Sequence, residues 1–193
     1  MKFLGDIHGK WELIPNQSNI VQVGDLGLGF GSTPRALPDG FRFIRGNHDK
    51  PSECQAHPAY IGDWRIEDEI LYVSGAESID KFWRTEGVSW WPDEVLSYQQ
   101  QNECLREIEG YTGHIRAVVS HDAPLPAYQI LYPNEPARFT GTPKFLQAVR
   151  ELLPDLRVWV FGHHHRALRF QEGRVWFHCL AEGELRSINI PPY

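Results

Sequence analysis

The chain has 193 residues, of which 41% are apolar, and its formal net charge is -6. This length and composition predict a single globular domain over residues 1–193 with a core of its own. No apolar run is long enough to cross a membrane and nothing resembles a signal peptide, so we expect a cytoplasmic protein without a membrane partner. The 19 Lys and Arg residues are scattered singly along an acidic chain, which argues against binding to long nucleic acids.

Five short apolar runs are typical of buried strands, and a polar motif follows each of them. In chain order these runs cover residues 2–4, 19–23, 41–44, 115–119 and 156–161. Two helices are also predicted. One begins at Pro92, with two acids in its first turn, and ends near Gly110; the other begins at Thr142, has one apolar face and ends at Pro154.

The remaining segments complete the predicted fold. Three alternating runs in the tail, at 167–171, 174–179 and 184–190, predict an antiparallel meander. Residues 57–112 hold four tryptophans and no metal-type motif, so we expect them to form a cap or insertion rather than part of the sheet scaffold. Strands mixed with helices and followed by hairpins predict an α/β layered fold with mixed sheets.

Histidines and acids concentrate in the motifs that end the predicted strands. The motifs are GDIHG (5–9), GDLG (24–27), GNHD (46–49), SHD (120–122) and GHHH (162–165). Because ligands of open α/β sheets bind beyond the carboxyl ends of the strands, we expect these residues to converge. Mixed oxygen and imidazole donors suit Mn, Fe or Zn, and two ions about 3.5–4 Å apart with a shared carboxylate would use the whole set. The three cysteines, Cys54, Cys104 and Cys179, form no CxxC pair, which argues against a disulfide framework or a zinc–thiolate site.

The order GDxHG, GDxx, GNHD, H and GHxH resembles the calcineurin-like metallophosphoesterase superfamily, in particular its small bacterial and phage members. The resemblance spans residues 5–165 and implies a sandwich of two mixed β-sheets flanked by helices. It also implies two divalent metal ions. The implied ligands are Asp6, His8 and His165 for the first ion, Asp25 as the bridge, and Asn47, His121 and His163 for the second.

The resemblance further implies phosphoester hydrolysis with a metal-bridging hydroxide as the nucleophile. His48 would contact the substrate and protonate the leaving group, which is typically worth about 10² to 10⁴ in rate, and Asp49 would hold the His48 imidazole in position. His164 alternates away from its neighbours, so we expect it to support the site or to lie on the surface rather than to bind metal.

Residues that would contact the substrate are expected after the third motif and beside it. The candidates are Arg45, Ser78, Asp80, Lys81 and Arg84, with Trp90 and Trp91 near them. For Arg45, contact with carboxylates that support the metal ligands is an equal alternative. The alternative, in which the tryptophans belong to the core and the charges are solvated, stays open.

The motifs also narrow the substrate class. Protein Ser/Thr phosphatases of this superfamily carry GDxVDRG and GNHE, and its nucleases commonly show GDLxD, whereas this chain reads GDLGLGF and GNHD. We therefore expect a small phosphorylated substrate, either a monoester or a diester. The alternative is a binding or assembly module that keeps the fold without the catalysis. A dinucleotide site in VGDLGLGFG is disfavoured, because the third glycine of GxGxxG would fall on Ser32 and prolines interrupt the required helix.

Overall fold

The computed structural model describes residues 1–31, 36–134 and 141–191. The strands of these segments are β1 (Lys2–Leu4), β2 (Ile20–Gln22), β3 (Arg42–Phe43), β4 (Trp64–Glu67), β5 (Ile70–Val73), β6 (Ala117–Ser120), β7 (Val158–Phe161), β8 (Leu168–Glu172), β9 (Val175–Cys179) and β10 (Leu185–Ser187). The α-helices are α1 (Pro51–Ala56), α2 (Tyr98–Gly110), α3 (Leu125–Leu131) and α4 (Gly141–Glu151). Short 3-10 turns cover Trp11–Leu13, Lys81–Trp83 and Pro92–Glu94.

The strands form two mixed sheets. The four-stranded sheet has the order β10-β1-β2-β3, with β10 antiparallel to β1 and the other pairs parallel. The six-stranded sheet has the order β4-β5-β6-β7-β9-β8, and its two edge strands are antiparallel to their neighbours. The inner strands β5, β6 and β7 are buried along their whole length, which explains why they are continuous apolar runs without alternation.

Three apolar clusters give the order of the layers. Phe3 and Val21 of the four-stranded sheet pack with Tyr72, Val119 and Val160 of the six-stranded sheet, so the two sheets face each other. The outer face of the six-stranded sheet packs against α2, α3 and α4. The outer face of the four-stranded sheet packs against α1 and the turn at Trp11–Leu13. The predicted α/β fold with mixed sheets is therefore confirmed at this level.

Two predicted elements differ from the structure. Helix α2 begins at Tyr98 rather than at Pro92, because Ser97 and Gln100 form a reciprocal capping box that fixes the start of the helix. The last run of the tail is not the third strand of a meander. β8 and β9 form the expected hairpin, but β10 leaves it and pairs with β1 in the other sheet.

Residues 57–112 are also not a separate cap. This segment contributes β4 and β5 to the six-stranded sheet, and β5 pairs with the central strand β6 in parallel. The part that lies outside the sheets is narrower and runs from the end of β5 to the start of α2. No helix of the described residues has the length and apolar composition needed to cross a membrane.

Candidate metal centre

The predicted ligands lie beyond the carboxyl ends of five strands. Asp6 and His8 follow β1, Asp25 follows β2, Asn47 follows β3, His121 follows β6, and His163 and His165 follow β7. β1, β2 and β3 are parallel in one sheet, and β6 and β7 are parallel in the other. Contacts of Asp25 with His121 and of Asp6 with His165 place the carboxyl ends of both sets at one edge of the sandwich. The topology therefore brings together residues as far apart in the sequence as Asp6 and His165.

One group of potential ligands consists of Asp6, His8, Asp25 and His165, whose donor atoms all lie within 4.8 Å of one another. The Nε2 atoms of His8 and His165 are 2.9 Å apart, and Nε2 of His165 is 3.1 Å from Oδ2 of Asp6. Two imidazole nitrogens and a carboxylate oxygen thus converge on one point. Such a set could hold a metal ion.

A second group consists of Asp25, His121 and His163, so Asp25 belongs to both. Nε2 of His121 lies 3.3 Å from Oδ1 of Asp25 and 3.2 Å from Oδ1 of Asn47, which places the Asn47 amide beside this group. Nδ1 of His121 lies 2.8 Å from the carbonyl oxygen of Val23. Nδ1–H donates to this oxygen, so a cation bound at Nε2 would take the place of the second ring proton.

The electrostatics of the two groups favour a positive charge between them. Burial would raise the pKa of Asp25, but the imidazole of His121, with smaller contributions from His48 and His8, holds it well below its ordinary range. Burial would lower the pKa of His121, but the charges of Asp25 and Asp6 raise it to about 10. A bound cation would provide the same compensation, and the mixed oxygen and imidazole donors suit Mn, Fe or Zn. The donor set therefore fits a metal ion.

The backbone at the candidate ligands is unusual. Of the seven described non-glycine residues with positive φ, four are candidate ligands: His8 (47°), Asp25 (60°), His163 (64°) and His165 (51°). Left-handed backbone costs a non-glycine residue of order 1–3 kcal/mol, and such residues concentrate at functional sites. This concentration is a second sign, independent of the side-chain chemistry, that these positions form a site.

Two motif positions must be glycine because a candidate carboxylate ligand lies against the backbone there. A Cβ atom at Gly46 would lie 2.1 Å from Oδ1 of Asp25, and a Cβ atom at Gly162 would lie 2.1 Å from Oδ1 of Asp6. A side chain at either position would displace a candidate ligand. The glycines of GNHD and GHHH thus leave room for carboxylates that come from other strands.

The Asp49 carboxylate contacts backbone rather than the His48 ring. Its oxygens accept four hydrogen bonds, and the donors are the N–H groups of Leu26, Gly27, Leu28 and Gly46. Burial and the charge of Asp25 raise the pKa of Asp49 to about 6, whereas the backbone donors act in the opposite direction. In the structure Asp49 therefore joins the loop after β2 to the loop after β3 and makes no described hydrogen bond to the His48 imidazole.

The His48 imidazole faces a cationic side chain. Nε2 of His48 lies 2.7 Å from Nη2 of Arg84, and its backbone N–H donates to Oδ1 of Asp25 at 2.7 Å. The Phe30 ring lies 5.5 Å from the imidazole and is itself in edge contact with Trp91. Burial lowers the pKa of His48, and the positive charge of Arg84 lowers it further against the influence of Asp25.

A buried polar chain orients Asn47. Its Nδ2 atom donates to Oγ of Ser78 at 3.2 Å, and Ser78 donates from Oγ to Oε2 of Glu94 at 2.6 Å. The backbone N–H of Ser78 donates to Oε1 of the same carboxylate. With Nδ2 engaged, Oδ1 of Asn47 faces His121 and the second ligand group. Sequence reasoning missed Glu94, because no motif surrounds it and only the tertiary fold places it beside Ser78.

A cavity of about 320 Å³ adjoins the centre. Four of the candidate ligands line it, and these are Asp25, Asn47, His163 and His165. The predicted residues His48, Asp80 and Arg84 also line it, together with three side chains that had not been predicted, Ile79, Tyr128 and Tyr132. His164 also lines it, although its side chain is only 2% exposed; its Nδ1 lies 3.1 Å from the Tyr132 hydroxyl and its Nε2 lies 3.3 Å from Asp122. His164 thus supports the cavity wall and belongs to neither ligand group.

Two predicted substrate contacts lie apart from this cavity. The Arg45 side chain is 2% exposed and donates to the carbonyl oxygens of Asp93 and Glu94 and to Asp63. Lys81 pairs with Glu77 at 2.6 Å and lines a different depression. Arg45 therefore anchors the 93–94 turn to the scaffold, and Lys81 has no contact with the candidate centre in the described residues. Both residues were predicted only because a positive charge lies near a motif in the sequence. Such proximity does not determine the direction of the side chain.

Comparison of the chain with protein-family models and with curated proteins gives no match.

Proposed function

We propose that the chain is a metal-dependent phosphoester hydrolase with two divalent ions that acts on a small phosphorylated molecule. The observation that carries the proposal is that Asp25 is shared by two ligand groups beside a cavity that also contains His48 and Arg84. The motif order, which is similar to that of calcineurin-like metallophosphoesterases, supports the same reaction class.

In this proposal Asp6, His8 and His165 hold one ion, Asn47, His121 and His163 hold the other, and Asp25 lies between them. The ions would stabilise negative charge on the phosphoryl oxygens and lower the pKa of a water for attack on phosphorus. Asn47 contributes a neutral amide oxygen. It completes a ligand group without cancelling the positive charge that attracts a phosphate.

In this proposal Arg84 binds the phosphate and His48 donates a proton to the leaving group. A guanidinium can only donate, so Nε2 of His48 accepts from Arg84 and the imidazole is neutral in the structure. When a phosphate enters, Arg84 turns its N–H groups to the phosphate oxygens and releases Nε2. The imidazole can then take up a proton from solvent at Nε2 and deliver it to the leaving oxygen as the bond to phosphorus breaks, which makes His48 the general acid.

The cavity supports a small substrate. A volume of about 320 Å³ suits a phosphate with a compact organic group, and it lies at the lower end of the range for small-molecule sites. Tyr128, Tyr132 and Ile79 provide an apolar wall for that group. The scattered distribution of positive charge along the chain favours such a molecule over a long nucleic acid.

The test is hydrolysis of p-nitrophenyl phosphate and bis-p-nitrophenyl phosphate by Mn²⁺-loaded protein, repeated after chelation and with the Asp25→Asn variant. We expect hydrolysis that chelation and the variant both abolish, and the faster substrate distinguishes a phosphatase from a phosphodiesterase. Activity that survives both treatments would contradict the proposal. Bound metal without hydrolysis of either ester, or of a panel of natural phosphoesters, would favour a binding module instead.

A further inference from the structure

A second groove, of about 530 Å³, lies at the other end of β7 from the candidate metal centre. Arg157 precedes β7 and lines this groove, whereas His163 follows β7 and belongs to the centre. The groove is bounded by the β8–β9 hairpin and by the chain after β10, so it lies where the edges of the two sheets meet. It shares no lining residue with the cavity at the centre.

The described lining of the groove is strongly basic. Arg157, Arg169 and Arg174 line it, and no acidic residue does. None of the three guanidiniums forms an ion pair with a carboxylate of the described segments. By contrast, Arg42 pairs with Glu67. A protein with a net charge of -6 therefore keeps three uncompensated positive charges in one concave surface.

Neutral polar groups complete the groove. His178 lines it and is only 7% exposed, yet neither of its ring nitrogens forms a hydrogen bond to a described residue, and Nδ1 is fully buried without a partner. Burial, together with the charges of Arg186 and Arg169, lowers the pKa of His178 to about 4. At neutral pH the ring is thus uncharged and retains one N–H donor. Nδ1 is out of reach of a molecule in the groove, whereas Nε2 is not fully buried and is the ring nitrogen that such a molecule can contact. Because polar groups in so buried a side chain nearly always have partners, the unpaired Nε2 favours a ligand at this point.

An aromatic surface lies at the same place. Trp176 is 37% exposed and lines the groove, and the Arg169 guanidinium lies 4.0 Å from the centre of its ring. A guanidinium held against an indole face is positioned without the loss of side-chain freedom that a solvated arginine would suffer on binding.

We propose that this groove is a binding site for a small phosphate-bearing molecule. Guanidinium forks match phosphate oxygens in a bidentate manner, three of them suit a polyanion, and the neutral His178 can donate a further hydrogen bond. The exposed indole of Trp176 offers a stacking surface for a planar base. The site is independent of the proposed hydrolytic activity, because it needs neither the metal ions nor His48.

The test is calorimetric titration of the chelator-treated full chain with pyrophosphate and with AMP at low salt, so that the metal centre does not contribute. We expect binding of both anions or of AMP alone. The Arg157→Gln/Arg174→Gln double variant should weaken binding by at least about tenfold, since hydrogen bonds to charged groups are the strong ones. Arg106→Gln, which removes an arginine of the exposed face of α2, is the matched control and should leave binding unchanged.

The two probes separate the sources of the phosphate. Tighter binding of AMP than of pyrophosphate, lost in Trp176→Leu, would identify a nucleotide; equal binding would identify the phosphate group alone. No measurable binding of either anion would overturn the proposal, and so would a double variant that binds as well as Arg106→Gln. Unfolding temperatures of all variants show whether a loss of binding reflects a loss of fold.

Discussion

Nη2 of Arg84 lies 2.7 Å from Nε2 of His48, and this contact joins the loop after β3 to the segment between β5 and α2. The side chain of Arg84 is only 10% exposed and also pairs with Asp80 at 2.7 Å. A guanidinium held at this point faces the cavity beside the candidate metal centre.

Arg84→Ala should raise KM for a phosphomonoester by about 10- to 100-fold, because it removes a charged donor to the phosphate. Lys81→Ala is the matched control. It removes a cation of the same segment that pairs with Glu77 and lies outside the cavity, so KM should not change. Steady-state kinetics of both variants check this expectation. An equal rise of KM in both variants would indicate a long-range electrostatic effect of positive charge rather than a direct contact between Arg84 and the phosphate.

His48→Ala should separate catalysis from metal binding. We expect the variant to retain its metal content, because no ligand is lost, and to lose about 10² to 10⁴ in kcat on a substrate with a poor leaving group. Asp25→Asn should lose metal as well as activity, since Asp25 belongs to both ligand groups. Elemental analysis and kinetics on the same samples provide the measurement. Unchanged turnover in His48→Ala would exclude its role as general acid.

The hydrogen bonds that link Asn47 to Ser78 and Ser78 to Glu94 predict that a residue outside the ligand groups affects metal affinity. Ser78→Ala removes the acceptor of the Asn47 amide, so the amide can rotate and present its NH₂ group to the ion. Loss of such a supporting hydrogen bond typically lowers metal affinity or activity about 10- to 100-fold. Ser52→Ala, on the exposed face of α1, is the control. Competition with a chelating dye measures the affinity, and equal affinities of the two variants would contradict the prediction.

His178 should make stability depend on pH. Its pKa is about 4 in the folded chain and about 6.5 in an unfolded one, so the unfolded chain binds more protons between these values. The stability contributed by the neutral ring is complete above about pH 6.5 and declines as the pH falls toward 4. Its maximum is about 3 kcal/mol from a shift of this size.

Urea unfolding of chelator-treated protein at pH 7 and pH 5 measures this effect. Between pH 7 and pH 5 the free energy of unfolding should fall less in the His178→Gln variant than in the unchanged chain. A parallel decline in both proteins would show that His178 is not the residue responsible.

The sequence was sufficient to predict which Asp and His side chains the fold brings together, because their signal is local. Short glycine-flanked motifs such as GDIHG follow apolar runs, and a parallel sheet gathers the ends of its strands at one edge. The strands β1, β2 and β7 were predicted from an equally local signal, because a continuous apolar run is typical of a buried strand.

The pairing of β10, several cavity residues and the direction of the Arg45 side chain depend on tertiary contacts that no local sequence pattern encodes. β10 resembles the third strand of a meander, but it pairs with β1 of the other sheet, which no local pattern of the tail indicates. Glu94 belongs to no motif, and the two tyrosines of the cavity come from α3 and its C-terminal end, which follow the SHD motif without any pattern that marks them. Arg45 was predicted to contact substrate from its position beside GNHD, yet its side chain points to the carbonyl oxygens of the 93–94 turn.

The four hydrogen bonds of Asp49 determine what happens when metal is absent. Three of them tie the loop that carries Asp25 to the loop that carries Asn47, the fourth lies within the latter loop, and none of them requires a cation. If the centre binds metal as proposed, the conformational entropy of these loops is lost during folding and not during metal uptake, because the candidate ligands are already held in place. Small zinc domains behave differently, because they fold only when the ion is bound. This chain should instead keep its secondary structure by circular dichroism after complete chelation, and it should recover metal without a slow refolding step.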